Sequence, residues 1–183
     1  MAQHTLAVLV ENSPGVLARV ASLFSRRGYN IDSLAVGPTE DPKVSRITIV
    51  LNLEGHALDQ VSAQLFKLVN VIGIQEMKES GSRQRELLFA KVAAKRSEVE
   101  ALIVGLPAEI VDERDGSCII QAVASNKDLA ELVKKLEKFG IRELVQSGAI
   151  AIEFGAKTLA EQTAIETGLA TSDTHQQTQD YQN

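Results

Sequence analysis

Asn12, Gly15 and Asn30 are the residues of this chain whose types and spacing suggest chemistry. Asn12 and Gly15 lie in Glu11-Asn12-Ser13-Pro14-Gly15-Val16-Leu17-Ala18-Arg19, between an apolar run and an amphipathic stretch. A helix beginning there offers unpaired backbone N–H groups and the positive end of its dipole, which suit a carboxylate. Gly15 removes a side chain, so a ligand can come close to those groups. Asn12 adds an amide with a donor and an acceptor, matched to a zwitterion. Taken alone, the junction is better explained as a glycine-tolerant turn and a capped helix with no ligand. Asn30, in Gly28-Tyr29-Asn30-Ile31-Asp32, stands where a helix stops and a strand starts, and alone is an ordinary turn residue. Together, two amides and a bare helix start could hold both ends of an amino acid and leave an apolar wall for its side chain.

Catalytic constellations are missing. There is no P-loop, no G-x-G-x-x-G, no G-x-S-x-G and no H-E-x-x-H string. His4, His56 and His175 are scattered without ligand partners at useful spacing, so no metal site is expected. Cys118 lies in an apolar strand and reads as a small core residue. Glu131 and Lys135 make an i,i+4 surface pair.

Composition narrows the classes further. The 183 residues carry a net charge of −5, with two Tyr, five Phe and no Trp. Nucleic-acid binding needs a basic face or stacking aromatics, and this chain has neither. One cysteine rules out an internal disulfide framework and a Cys-rich zinc site. Neither a signal segment nor a run of about 20 apolar residues is visible, so a soluble, cytoplasmic protein is expected, with no membrane partner.

The elements that position the three residues follow from periodicity. His4 to Asn12 reads as a strand. Ser13 as N-cap and Pro14 as first helical residue open a helix with Val16, Leu17, Val20, Leu23 and Phe24 on one face, which Gly28 stops. Strands follow at 29–38 and 44–53, a helix at 57–69 and a strand at 71–78. This order is the split βαβ, or ferredoxin-like, unit. After a polar linker at 80–85 the order returns. A strand at 86–94 leads to a helix at 97–105 with a Ser97-x-x-Glu100 capping box. A hairpin around Asp115-Gly116 joins strands at 109–113 and 118–124, and a helix at 127–139 precedes a strand at 141–154. The fold class is therefore α+β, with two βαββαβ units. A short helix is possible near 158–167, and the last 10 to 15 residues are too polar to bury enough area for ordering.

Four stretches, Glu11 to Arg19, Arg27-Gly-Tyr-Asn-Ile-Asp-Ser-Leu34, Ser45-Arg-Ile-Thr-Ile-Val50 and Gln64-Leu-Phe-Lys-Leu-Val69, closely resemble the small regulatory subunit of acetohydroxyacid synthase (acetolactate synthase). The resemblance runs from about Gln3 to Gly155. It implies an N-terminal ACT regulatory domain at 3–79, a second ferredoxin-like domain at 84–156 and a polar tail at 157–183. In the second half Arg85-Glu-Leu-Leu88, Ile110-Val-Asp112 and Phe139-Gly-Ile141 fit the family. Gln146-Ser147-Gly148 and Glu153-Phe154-Gly155 depart from its arginine-bearing pieces, so no role is carried over there.

Similarity to this family implies a chain without catalysis that activates a separate catalytic subunit in branched-chain amino acid biosynthesis. It would confer inhibition by valine, or by leucine or isoleucine. The resemblance places the effector between two ACT domains of a homodimer, with Asn12, Gly15, Val16 and Leu17 from one chain and Asn30 and Ile31 from the other. No cofactor is expected in this chain; thiamine diphosphate, Mg and FAD are expected in the catalytic subunit. A ligand bridging protomers with a coupling of about 1–3 kcal/mol would change affinity 5–150-fold. Competing readings are a stand-alone amino-acid-binding ACT protein, a small hydrolase on the same fold, and an RNA-recognition module. The hydrolase lacks a nucleophile and base, and the RNA module lacks basic charge and aromatics. One further expectation comes from strand alternation. Thr5, Ala7 and Leu9 share a sheet face that the helices of their own unit leave open, together with Thr48 and Val50. Another domain or the catalytic partner should cover it.

Overall fold

The first strand, β1 (Ala2–Glu11), is buried from Thr5 to Val10 with none of the alternation a strand with one wet face would show. Continuous burial means that both faces are covered. In the computed structural model, which describes residues 2–54 and 57–166, two different layers do this.

The inner layer is helical. β1 is followed by α1 (Val16–Arg26), β2 (Ile31–Pro38), β3 (Val44–Leu53), α2 (Ala57–Leu65) and β4 (Val71–Glu76), in an antiparallel sheet of order β2-β3-β1-β4. Leu6, Val8 and Val10 pack with Val16, Val20, Phe24, Ile47, Ile49, Leu51, Val61 and Leu65. Gly28, at φ +71°, ends α1 as expected. Its N–H reaches Ser25 O and that of Tyr29 reaches Phe24 O, both at 3.1 Å, which satisfies carbonyls that the helix end would orphan.

The second unit repeats the order with β5 (Ser82–Val92), α3 (Arg96–Ile103), β6 (Ala108–Arg114), β7 (Ser117–Ala124), α4 (Asn126–Leu136) and β8 (Ile141–Gln146), in order β6-β7-β5-β8. The fold is thus two ferredoxin-like βαββαβ units. Asp115 at φ +50° and Gly116 at φ +70° make the tight hairpin turn. Leu88, Ala90, Val92, Ile120, Leu129, Leu132 and Leu136 fill this core with Cys118.

The outer layer on the first sheet comes from the end of the chain. The strand expected at 141–154 is two strands, β8 and β9 (Ile150–Glu153), broken at 147–149. β9 pairs with Ser82 to Arg85, so the stretch expected as a linker is the first half of β5. Beyond it Thr158 and Glu161 cap α5 (Leu159–Glu166) reciprocally: Thr158 N–H reaches the carboxylate at 2.8 Å, and Glu161 N–H reaches the hydroxyl at 3.1 Å. Ala7, Leu9, Met77, Ala151 and Leu159 form a separate buried cluster between the sheet and this cover. The cover expected over Ala7 and Leu9 is therefore the same chain's second unit and following helix. Gly73 of β4 makes room for α5, because a Cβ there would lie 2.1 Å from Thr163 Oγ1.

Other differences are local. The helix expected at 57–69 stops at Leu65, where turn hydrogen bonds from Lys67 and Leu68 replace helical ones. α3 begins at Arg96, and Glu98 rather than Glu100 turns back, accepting from Lys95 N–H at 3.1 Å. Glu100 instead pairs with Arg96 at 2.7 Å. The expectations for His56, His175 and the final polar residues fall outside the described residues.

Candidate functional site

The loop between β1 and α1 is built differently from its sequence-based expectation. Ser13 does not cap α1, and Pro14 is not in it. Ser13 N–H turns back to Glu11 O at 2.9 Å, and Gly15 takes φ +84° as the N-cap. That left-handed conformation favours glycine, and it moves the helix start to Val16. No side chain caps the helix; the Val16 N–H turns back to Ser13 O at 3.4 Å, and those of Leu17 and Ala18 are left for a ligand or water. A Cβ at Gly15 would meet only Arg19 Nη2, 3.9 Å away, so the space above the glycine is open and faces a guanidinium. Arg19 thus adds a cation to the helix start.

Val16 and Leu17 divide the remaining work. Val16 is 3% exposed in the core and its N–H is on Ser13 O, so it shapes the loop from beneath, whereas Leu17 is 41% exposed and forms an apolar edge. Asn12 anchors the loop to the β2–β3 turn through its N–H to Lys43 O at 2.7 Å and its side-chain Nδ2 to Pro42 O at 2.9 Å. Because that Nδ2 donates to a carbonyl, the amide oxygen is the end presented elsewhere.

Asn30 is oriented in the same sense. Its Nδ2 donates to Asp32 Oδ1 at 2.9 Å, and Asn52 Nδ2 donates to the other oxygen of the same carboxylate. A carboxylate can only accept, so Asp32 turns the oxygen of Asn30 away from itself. Each candidate amide thus has its acceptor oxygen to present, beside one remaining N–H. Acceptors suit an ammonium, while the uncapped helix start and Arg19 suit a carboxylate. Ile31 is half-buried against the core.

One chain does not bring these groups together. Glu11 is in register with Val44 and Ile31 with Leu51. The two ends are seven β3 residues apart, about 23 Å at ~3.3 Å per residue. Asn12, Gly15 and Leu17 thus stand at one end of the first sheet, and Asn30 and Ile31 at the other. An amino acid spans only a small part of that distance.

The remaining chemistry-bearing groups are structural. Cys118 is fully buried and donates to Ala94 O at 3.3 Å; burial, with Glu113, raises its thiol pKa, so the nucleophilic form is disfavoured. His4 Nδ1 lies 2.7 Å from Glu76 Oε1. Among the described residues no group of three or more His, Cys, Asp or Glu could hold a metal, and no helix is long and apolar enough to cross a membrane. A cleft of about 930 Å³ between the units includes Asp32, Ser33, Arg85, Glu86, Asn126 and Gly148 in its lining. It carries both charge signs, and Glu86 in it is already held by Asn126 and Gln146.

Residues 6–73 match the family described as AHAS small subunit-like ACT domain, and residues 85–155 match Small subunit of acetolactate synthase. The acetolactate synthase small subunit of Mycolicibacterium smegmatis is 47% identical over 157 residues, covering 84% of this chain and 92% of that one. The probable small subunit of Archaeoglobus fulgidus is 44% identical over 158 residues, covering 85% and 99%. The crystal structure of the Thermotoga maritima small subunit superimposes with a TM-score of 0.79 at 27% identity, over 86% of this chain and all of that one.

Proposed function

This chain belongs to the acetolactate synthase small-subunit family, and on that premise we propose that it activates a separate catalytic subunit and makes it sensitive to a branched-chain amino acid, valine foremost. The observation that carries this reading is the separation of the two halves of the site. Donors for a carboxylate stand with the Asn12 oxygen at one end of the sheet, and the Asn30 acceptor stands at the other. A homodimer in which the α1 start of one chain faces the β2 start of its partner brings them together. The ligand then binds only the paired arrangement, and binding energy becomes a bias on assembly. Leu17 supplies an apolar wall suited to an aliphatic side chain.

In this reading the chain has no reaction of its own and works in the cytoplasm. Thiamine diphosphate, Mg and FAD belong to the catalytic subunit. Mixing the purified chain with that subunit should raise its activity, and valine should reverse the gain. Absence of both effects would remove the reading. Gly15→Asp places a carboxylate where the ligand's own should dock, in open space but at φ +84°, where a side chain is strained, so surviving activation serves as the check on folding. Valine binding by calorimetry should vanish while activation survives. Unchanged binding would show that the carboxylate end lies elsewhere.

A further inference from the structure

The start of β2, which carries Asn30 and Ile31, does not rest on its own unit alone. Ser33 Oγ accepts from Ala149 N–H at 2.8 Å, across the boundary between the units. Next to it, Gly148 lies directly against the Leu34 backbone. A Cβ at Gly148 would stand 2.3 Å from Leu34 O, 2.5 Å from Leu34 C and 2.9 Å from Ala35 N. Its φ is not in the left-handed region, so the glycine is required by proximity alone. Backbone atoms, unlike the end of a flexible side chain, cannot step aside.

The same turn is tied firmly to the second unit. Ser147 N–H donates to Leu87 O at 2.9 Å, and its hydroxyl accepts from Leu87 N–H at 2.9 Å. Gln146 Nε2 donates to the Glu86 carboxylate, which also accepts from Asn126 at the first residue of α4. Glu86 is 7% exposed at the wall of the cleft, so two side-chain amides converge on a carboxylate largely shielded from water. Contacts therefore run without a gap from the β2 start, through Ser33, Leu34, Gly148 and Ala149, to Ser147, Glu86 and α4.

We propose that Ser33 and Gly148 are positioning residues, forming the joint through which ligand occupancy at Asn30 and Ile31 is transmitted to the second unit. The joint rests on the two-chain amino-acid site proposed above and adds the route by which that site reaches the rest of the molecule. A ligand that shifts the β2 start by even a fraction of an ångström moves a turn with no slack. The second unit must follow or resist.

A contact path is not itself coupling, so the test separates binding from response. The full-length chain is assayed with its catalytic subunit, and valine is titrated both into the chain alone by calorimetry and into the holoenzyme by activity. Gly148→Ala should keep activation and bind valine within about threefold of the unaltered chain, while the valine midpoint for inhibition rises at least tenfold. Ser33→Ala, which introduces no clash, should shift the midpoint in the same direction. Ser33→Thr, which keeps the hydroxyl, should restore the original response. If Gly148→Ala misfolds, the two Ser33 variants decide. Ordinary inhibition in folded variants would overturn the joint, as would binding and response lost in equal proportion. A holoenzyme of unaltered chains that ignores valine would instead remove the reading beneath it, and the joint with it.

Discussion

The two units share one element order and leave opposite features open. In the first, the outer sheet face is covered and the helix start is bare: Leu9 is 5% exposed, and Gly15 gives α1 no side-chain cap. In the second, the helix start is closed by Glu98 turning back to Lys95, and the sheet face is bare, with Val111, Val123 and Val145 at 47%, 48% and 56% exposure. A ferredoxin-like unit places helices on one face only, so its other face must be completed from outside. β9 and α5 complete the first sheet, and no element among the described residues does so for the second. The same duplication thus yields one unit free to bind at its helix start and another whose helix start is already satisfied.

Mutation can break this contrast. The largest effect is expected at the covered face, where Leu9→Ala should destabilise the chain by about 2–5 kcal/mol. Val145→Ala, on the bare face, should stay within about 0.5 kcal/mol. Urea unfolding of both variants measures the difference, and equal losses would mean that the cover contributes nothing. Next come the two helix-start regions. On the proposed two-chain site, Asn30→Ala should weaken valine binding by about 1–3 kcal/mol. Glu98→Ala should leave valine binding unchanged, because it closes a helix start that takes no ligand. Calorimetry reads both, and a loss of affinity in the Glu98 variant would erase the distinction.

The smallest effect concerns the cover itself. Hydrogen bonds from Thr158, the backbone N–H first, hold the Glu161 carboxyl below its ordinary value of 4.5. A carboxyl depressed in the folded state contributes stability above its unfolded pKa and loses that contribution as pH falls through its folded one. Hydrogen-exchange protection at 159–163 should therefore drop between about pH 5 and about pH 3 by more than that of β1. Parallel loss in both segments would show that α5 is held by packing alone.

Residue patterns made the apolar parts of this architecture legible. The helical stripe of α1, its Gly28 stop and the Asp115-Gly116 hairpin all rest on local rules that the tertiary structure leaves intact. The two ends of the cover were harder to read. Ser82 and Gln84 are polar and look like linker, yet with Glu86, where the expected strand begins, they face the seam between the units. There Thr5 Oγ1 donates to Gln84 Oε1 at 3.0 Å, and Ser82 and Glu86 are 6% and 7% exposed. Hydrophobic periodicity is blind to a strand buried by polar contacts. The break at Ser147-Gly148-Ala149 was hidden by the strand-forming residues on both sides. For the site, Asn12, Gly15 and Asn30 could be picked out by type. Asp32 and Arg19 could not, since a lone exposed charge usually means nothing; only the short Asn30-x-Asp32 spacing hinted that one side chain would aim the other.

β5 has one half in each layer system. Ser82 to Arg85 pair with β9 in the cover of the first sheet, while Glu86 to Val92 pair with β7 in the second. The chain therefore has no natural seam at the glycine after Ser80, although its composition invites a cut there. A fragment ending at that point would lose β9 and α5, and with them the partner of Arg46, whose Nη2 donates to Ala151 O at 2.8 Å. It would display Ala7 and Leu9 to water as a sticky slab, and such surfaces drive self-association. For gene fusion, truncation or inheritance, the smallest self-sufficient piece of this protein is larger than its repeat.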